Sequence, residues 1–143
     1  MARSFMKSEY KSIAREWLAK AESDLAYARA SFSEFDDFFS QMCILCHDAA
    51  EKFLKAVIVS KGGKPESIHD LVTLLGSCTT GDTETATLPD LEEPCRLLNR
   101  YYIPLKYPSH YPAMSRMQAQ QAIEAAEIIR MVVLSRLMPH LET

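Results

Sequence analysis

The chain has 143 residues, 48% of them hydrophobic and 24% charged, which is enough apolar content for one domain with a real core and no more than ordinary surface charge. A formal charge of -3 excludes a general nucleic-acid coat, which needs a basic field, but allows a local basic patch. No apolar run approaches the ~20 residues of a membrane span, and the opening Met1-Ala-Arg-Ser-Phe-Met-Lys-Ser-Glu-Tyr10 lacks the apolar stretch of a secretory signal. A cytoplasmic location is therefore expected, with Cys43, Cys46, Cys78 and Cys95 as free thiols.

Only four glycines occur and no apolar/polar alternation is sustained, so the fold class expected is all-α. A first helix is predicted from about Ser8 to Ser33, with Ala14, Trp17, Leu18, Ala21, Leu25, Ala28 and Phe32 at helical spacing. Ser33, Asp36 and Asp37 mark a polar break and supply a cap for a second helix from about Asp37 to Lys61. Gly62-Gly63 ends that helix and Pro65 prevents its restart. The stretch from Ser67 to Gly76 predicts a short helix capped by Ser67 and closed by Gly76, followed by a Thr/Ser/Gly/Asp-rich loop from Ser77 to Thr87. A fourth helix starts near Leu88 to Asp90 and carries Leu91, Cys95, Leu98, Tyr101 and Tyr102 before Pro104 disrupts it. Lys106-Tyr-Pro-Ser-His-Tyr-Pro112 is an extended aromatic loop with two X-Pro bonds. A fifth helix runs from about Ser115 to Leu137, its inner face formed by Ala122, Ala126, Ile129, Val132, Val133 and Leu137. With no internal repeat and no linker, residues 1–143 form a single up-and-down bundle of four main antiparallel helices plus one short helix.

The second helix holds the most informative stretch, Cys46-His-Asp-Ala-Ala-Glu-Lys-Phe-Leu-Lys-Ala56. At ~3.6 residues per turn, His47, Glu51 and Lys55 lie nearly one above another, with Asp48 and Lys52 in the adjacent row. Met42, Leu45, Ala49, Phe53, Ala56 and Val57 form the apolar stripe of the same helix. The structural explanation of the charges is i,i+4 pairing, Asp48 with Lys52 and Glu51 with Lys55, worth a few tenths of a kcal/mol per pair. The functional explanation is a polar site on the bundle surface. Asp24 falls one heptad after Trp17, and an acid beside the core stripe is costly unless paired, so Lys52 or His47 is its natural partner.

Other strings have simpler explanations. Cys43-Ile-Leu-Cys46-His47 spells a haem c attachment string, but it sits in mid-helix with its cysteines toward the core. A dithiol redox pair needs a helix N-terminus, and zinc would need further ligands that Cys78 and Cys95 do not provide as a close pair. Core thiols are expected, with no metal and no cofactor. Gly62-Gly63-Lys64 is too short for a phosphate-binding P-loop and follows no strand. Arg96, Arg100, Lys64, Lys106 and Arg116, with Tyr101, Tyr102, Tyr107 and Tyr111, combine cations with stacking rings, the residue types that hold a nucleotide base or single-stranded RNA; the same tyrosines would also close the bundle end or form a dimer seam.

The order of these features resembles the HEPN domain family across almost the whole chain. Trp17, Ala21, Asp24, Leu25 and Ala28 are similar to its W-x3-A-x2-DL-x2-A pattern, and His47-Asp-Ala-Ala-Glu-Lys-x2-Lys55 to its Q-x-A-E-K-x2-K-A core. His69-Asp-Leu71 resembles its HDL turn, and Tyr102-Ile-Pro-Leu-Lys-Tyr-Pro108 its Y-I-x2-R-Y-P stretch. The resemblance implies a helical bundle that pairs into a homodimer and binds nucleotide or RNA, acting with a minimal nucleotidyltransferase-like protein in a toxin–antitoxin module. Asp24, His47, Glu51, Lys52, Lys55, Lys106 and Tyr107 are then the expected ligand-binding residues, with Lys55 and Lys106 on phosphate and Asp24 orienting Lys52 or His47. Many family members are metal-independent ribonucleases with an R-x4-6-H motif. Here Arg100 and His110 are the candidate catalytic pair, but the gap between them is longer and crosses Pro104 and Pro108, and Lys106 stands where relatives carry arginine. A ribonuclease toxin and a non-catalytic dimerisation adaptor are the alternative functions.

Overall fold

The computed structural model describes residues 7–65, 67–79, 88, 90–102 and 113–142. Among them are α1 (Ser8–Glu34), α2 (Phe39–Ser60), α3 (Leu71–Thr79), α4 (Glu92–Asn99) and α5 (Arg116–Leu141), and no strand. The fold is the expected all-α bundle, built on three long helices and two short ones. Tyr101 and Tyr102 lie in the turn after α4 rather than on it. Among the described residues no helix is long and apolar enough to cross a membrane.

α1 buries Ala14, Leu18, Ala21, Leu25 and Ala28, the predicted stripe, with Trp17 and Phe32 half-buried beside it. It runs antiparallel to α2 and to α5. Tyr10 packs on Gly62 and Asp24 meets Lys52 across the first pair. Across the second, Glu22 pairs with Arg130, Arg29 with Glu127 at 2.9 Å, and the Arg15 guanidinium donates to the Leu141 carbonyl. α2 is enclosed more fully than its single predicted stripe implied. All four other helices pack on it, and its buried residues include Cys43, Cys46, Ala50, Leu54 and Ile58 from outside that stripe. Phe53, Leu25, Leu54 and Ile129 are among the largest side chains sealed inside, each worth about 1.5–3 kcal/mol of transfer free energy.

Several helix ends differ from expectation for local reasons. α2 starts after Phe38, whose backbone is left-handed (φ 65°), and no side chain caps the helix; the Asp37 carboxylate instead accepts the Phe38 N–H at 2.7 Å. A bulky residue in this conformation is unusual, and here its ring packs edge-on to Phe35, 5.4 Å between centroids. Gly62 ends α2 as expected, in the left-handed region (φ 83°) that glycine adopts freely. α3 begins at Leu71 rather than Ser67, because Asp70 is its cap: the Asp70 carboxylate accepts the Thr73 N–H at 3.0 Å. It continues past Gly76 to Thr79, held down by the buried Cys78, whose thiol donates to the Leu54 carbonyl. α5 opens on a Ser115–Gln118 capping box and runs past the predicted Leu137. Pro139 stands within its last turn, where it cannot donate to the Ser135 carbonyl, so the cost falls on the final residues of the helix alone.

All four cysteines are free and buried. Burial pushes the Cys43, Cys78 and Cys95 thiols up to about 12, and pushes Cys46 up as well. Cys43 and Cys46 therefore lack the thiolate character that haem attachment or disulfide exchange requires. In the unfolded chain the same thiols ionise near ~8.5. Their contribution to stability is intact below that value and is lost as pH climbs toward about 12. Native protein should react negligibly with Ellman's reagent at pH 8, all four thiols should react in denaturant, and urea midpoints should fall as pH rises above about 9; rapid labelling of the native chain would contradict this burial.

Candidate functional site

Enclosing α2 forces its polar side chains to find partners. His47 is 1% exposed and Lys55 5%. The Lys55 ammonium donates to Glu51 Oε2 at 2.8 Å and lies 5.5 Å from the centre of the Trp17 ring. Glu51 Oε1 accepts from His69 Nδ1 at 3.0 Å, so His69 carries its proton on that nitrogen. The His69 ring stacks on Tyr102 at 4.9 Å with planes 14° apart, and His47 packs against the other side of the cluster, 5.1 Å from the same tyrosine ring. His47 Nε2 lies 2.9 Å from the His69 carbonyl oxygen. One helix, the turn before α3 and the turn after α4 are thus tied together by a chain running Lys55–Glu51–His69–Tyr102–His47.

The neighbouring turn is fixed by a second set of bonds. Asn99 Oδ1 accepts the Leu71 N–H at 2.8 Å while its amide donates to Asp70 Oδ1 at 3.3 Å. The Thr73 N–H, with the Asn99 amide, holds the Asp70 carboxyl below the usual carboxylate range. His69 is therefore presented on a braced turn.

Of the residues expected in the site, the structure brings together His47, Glu51 and Lys55, and places Asp24 and Lys52 as a bonded pair between α1 and α2. Asp24 takes Lys52, one of its two expected partners; the other, His47, turns toward the His69 turn. Lys55 is committed to Glu51 inside the bundle, an arrangement that positions the carboxylate rather than presenting an ammonium to solvent. Arg100 is exposed at the C-terminal end of α4. Lys106, Tyr107 and His110 lie outside the described residues. Arg116 does not join a basic cluster: it pairs with Asp36 at 3.1 Å and lies over the rings of Phe32 and Phe39. Arg96 pairs with Glu92 on its own helix, and Tyr101 is buried.

Three residues of this cluster stand outside the expected site: Tyr102 as the stacking partner of His69, His69 as the bridge to Glu51, and Asn99. His69 and Tyr102 stand in the HDL and Y-I-P strings; Asn99 has no distinguishing pattern and is identified only by its contacts.

The all-helical bundle belongs to a known class of domain. The HEPN domain profile matches residues 14–137, and the chain belongs to the HEPN domain family. It is similar to TT1696 from Thermus thermophilus, at 30% identity and a TM-score of 0.73, over 87% of this chain and 98% of that one. It shares its fold with ST0689, an archaeal HEPN homologue, at 23% identity and a TM-score of 0.66, over 86% of this chain and 96% of that one. No curated protein matches the sequence significantly.

The Glu51–Lys55 pair is testable by stability. Removing one partner of a buried ion pair leaves an uncompensated charge and costs about 3–5 kcal/mol. Glu51→Gln should lower the unfolding free energy by about that amount, and adding Lys55→Met should recover most of it, both read by urea denaturation. A single-variant cost below about 1 kcal/mol would mean that the ammonium reaches water after all.

Proposed function

We propose that this HEPN domain binds a nucleotide or RNA and acts, as a homodimer, with a nucleotidyltransferase-like partner in a toxin–antitoxin-like module. The observation that carries the reading is the His69–Tyr102 stack. It places His69, whose side chain is 42% exposed, and Tyr102 at the end of the bundle, two residues along the chain from the exposed Arg100. Base stacking on such rings is sequence-tolerant and contributes about 1–3 kcal/mol per base. Arg100, Lys52 and Lys106 would meet phosphate, Tyr107 would extend the stacking surface, and the Glu51–His69 bond would hold the platform. Family membership supports the dimer and the partner.

Ribonuclease activity is the second reading, favoured by the position of Arg100 at the solvent-exposed end of α4, two residues before Tyr102. With His110 it would form a composite site in which cations steady a scissile phosphate while an imidazole moves a proton.

Trp17, the one tryptophan of the chain, stands beside Lys55 and reports on this region. ATP, GTP or short RNA oligomers should change its fluorescence saturably, and Arg100→Ala together with Lys106→Ala should weaken binding at least about tenfold. Absence of binding at high-micromolar protein, with and without the co-expressed partner, overturns the proposal. Cleavage of RNA in EDTA that is abolished by His110→Ala would move the ribonuclease reading to the front.

A further inference from the structure

His47 is a buried histidine whose tautomer the structure determines. Its Nε2 faces the His69 carbonyl oxygen at 2.9 Å, and a carbonyl only accepts, so the proton sits on Nε2. The other ring nitrogen, Nδ1, lies 3.3 Å from Asp48 Oδ1. One helical turn on, Glu51 brings a second carboxylate, and one ligand atom from each of His47, Asp48 and Glu51 lies within 4.8 Å of the others. Two carboxylate oxygens and a ring nitrogen are thus gathered around one point.

We infer that His47 Nδ1, Asp48 and Glu51 form a binding site for one divalent transition-metal cation of the zinc, cobalt or manganese class. Three features favour a metal. A histidine ligand characteristically donates its other N–H to a backbone carbonyl or carboxylate, which fixes the ring and its tautomer; here the His69 carbonyl does so. One imidazole with two carboxylates is a borderline donor set suited to these ions rather than to Ca²⁺ or Cu⁺. The Glu51 carboxylate has acceptor capacity left after His69 and Lys55. The cysteines do not compete, because they are buried thiols in the core. Three protein ligands leave the remaining coordination positions to water or to a ligand oxygen, on the side where Asp48 and His69 reach solvent. No electron or group transfer is involved: the cation displaces water, and a proton only where the ring is charged.

The test uses the full chain, stripped with EDTA and dialysed. Titration with Co²⁺, followed by visible absorption and calorimetry, should show one ion per chain. Asp48→Asn should weaken it at least about tenfold while leaving the helical circular dichroism intact. Its amide N–H would donate to Nδ1, so thermal stability should hold or rise. His47→Gln should behave likewise where it folds, and His140→Gln should bind as the parent does. Absence of one-to-one binding, or binding undiminished by Asp48→Asn, overturns the inference. Nucleotide binding, read separately through Trp17, can fail or succeed without deciding the metal result.

Discussion

Enclosing α2 on nearly every side is the constraint from which the rest of the structure follows. A helix surrounded by four others has no broad solvated face on which to place its charges. Its apolar positions are therefore committed to packing, and each polar side chain must carry a partner inward with it. Lys55 takes Glu51 and the face of Trp17, Lys52 takes Asp24, and His47 takes a backbone carbonyl. No buried side-chain nitrogen or oxygen among the described residues is left without a partner. The charge ladder, which could have been a solvated helix face, thereby becomes the seam between α2 and the polar end of the bundle.

That seam connects the fold to the site. His69 reaches Glu51 only because the turn before α3 is braced by Asp70 and Asn99, and Tyr102 reaches His69 only because α4 ends at Asn99. The Cys43-x-x-Cys46-His47 string shows the same division within four residues. Both cysteines point into the core and act as small apolar groups, while the histidine turns toward the polar cluster. Any ligand held at this end would be sensed by α2, the element on which all the others pack.

Much of the bundle was legible because burial imposes a period. The stripe of α1 and the inner face of α5 follow directly from apolar spacing, with Val132 only half-buried at its margin, and Gly62 marks the end of α2 through its backbone freedom. Positions decided by a single tertiary bond were not legible. The start of α3 depends on an Asp70 carboxylate shared with Asn99, 29 residues away, and the cap of α2 is a left-handed Phe38 that no propensity favours. Glu51 with Lys55 follows from i,i+4 spacing, but its depth does not, because spacing alone does not reveal that other helices cover that face as well. The role of His69 is likewise tertiary: its importance lies in what it bridges.

The most direct test of a ligand site at the α2–α3–α4 end is to map it by amide chemical shifts. ATP and a short single-stranded RNA would be titrated separately into uniformly ¹⁵N-labelled chain while the backbone resonances are followed. Saturable shifts are expected, concentrated at residues 47–55, at 69–71 and at 99–102, with α1 responding mainly around Trp17. Shifts confined to the α1–α5 seam, or spread evenly without saturation, would contradict this and return this end of the bundle to a purely structural role.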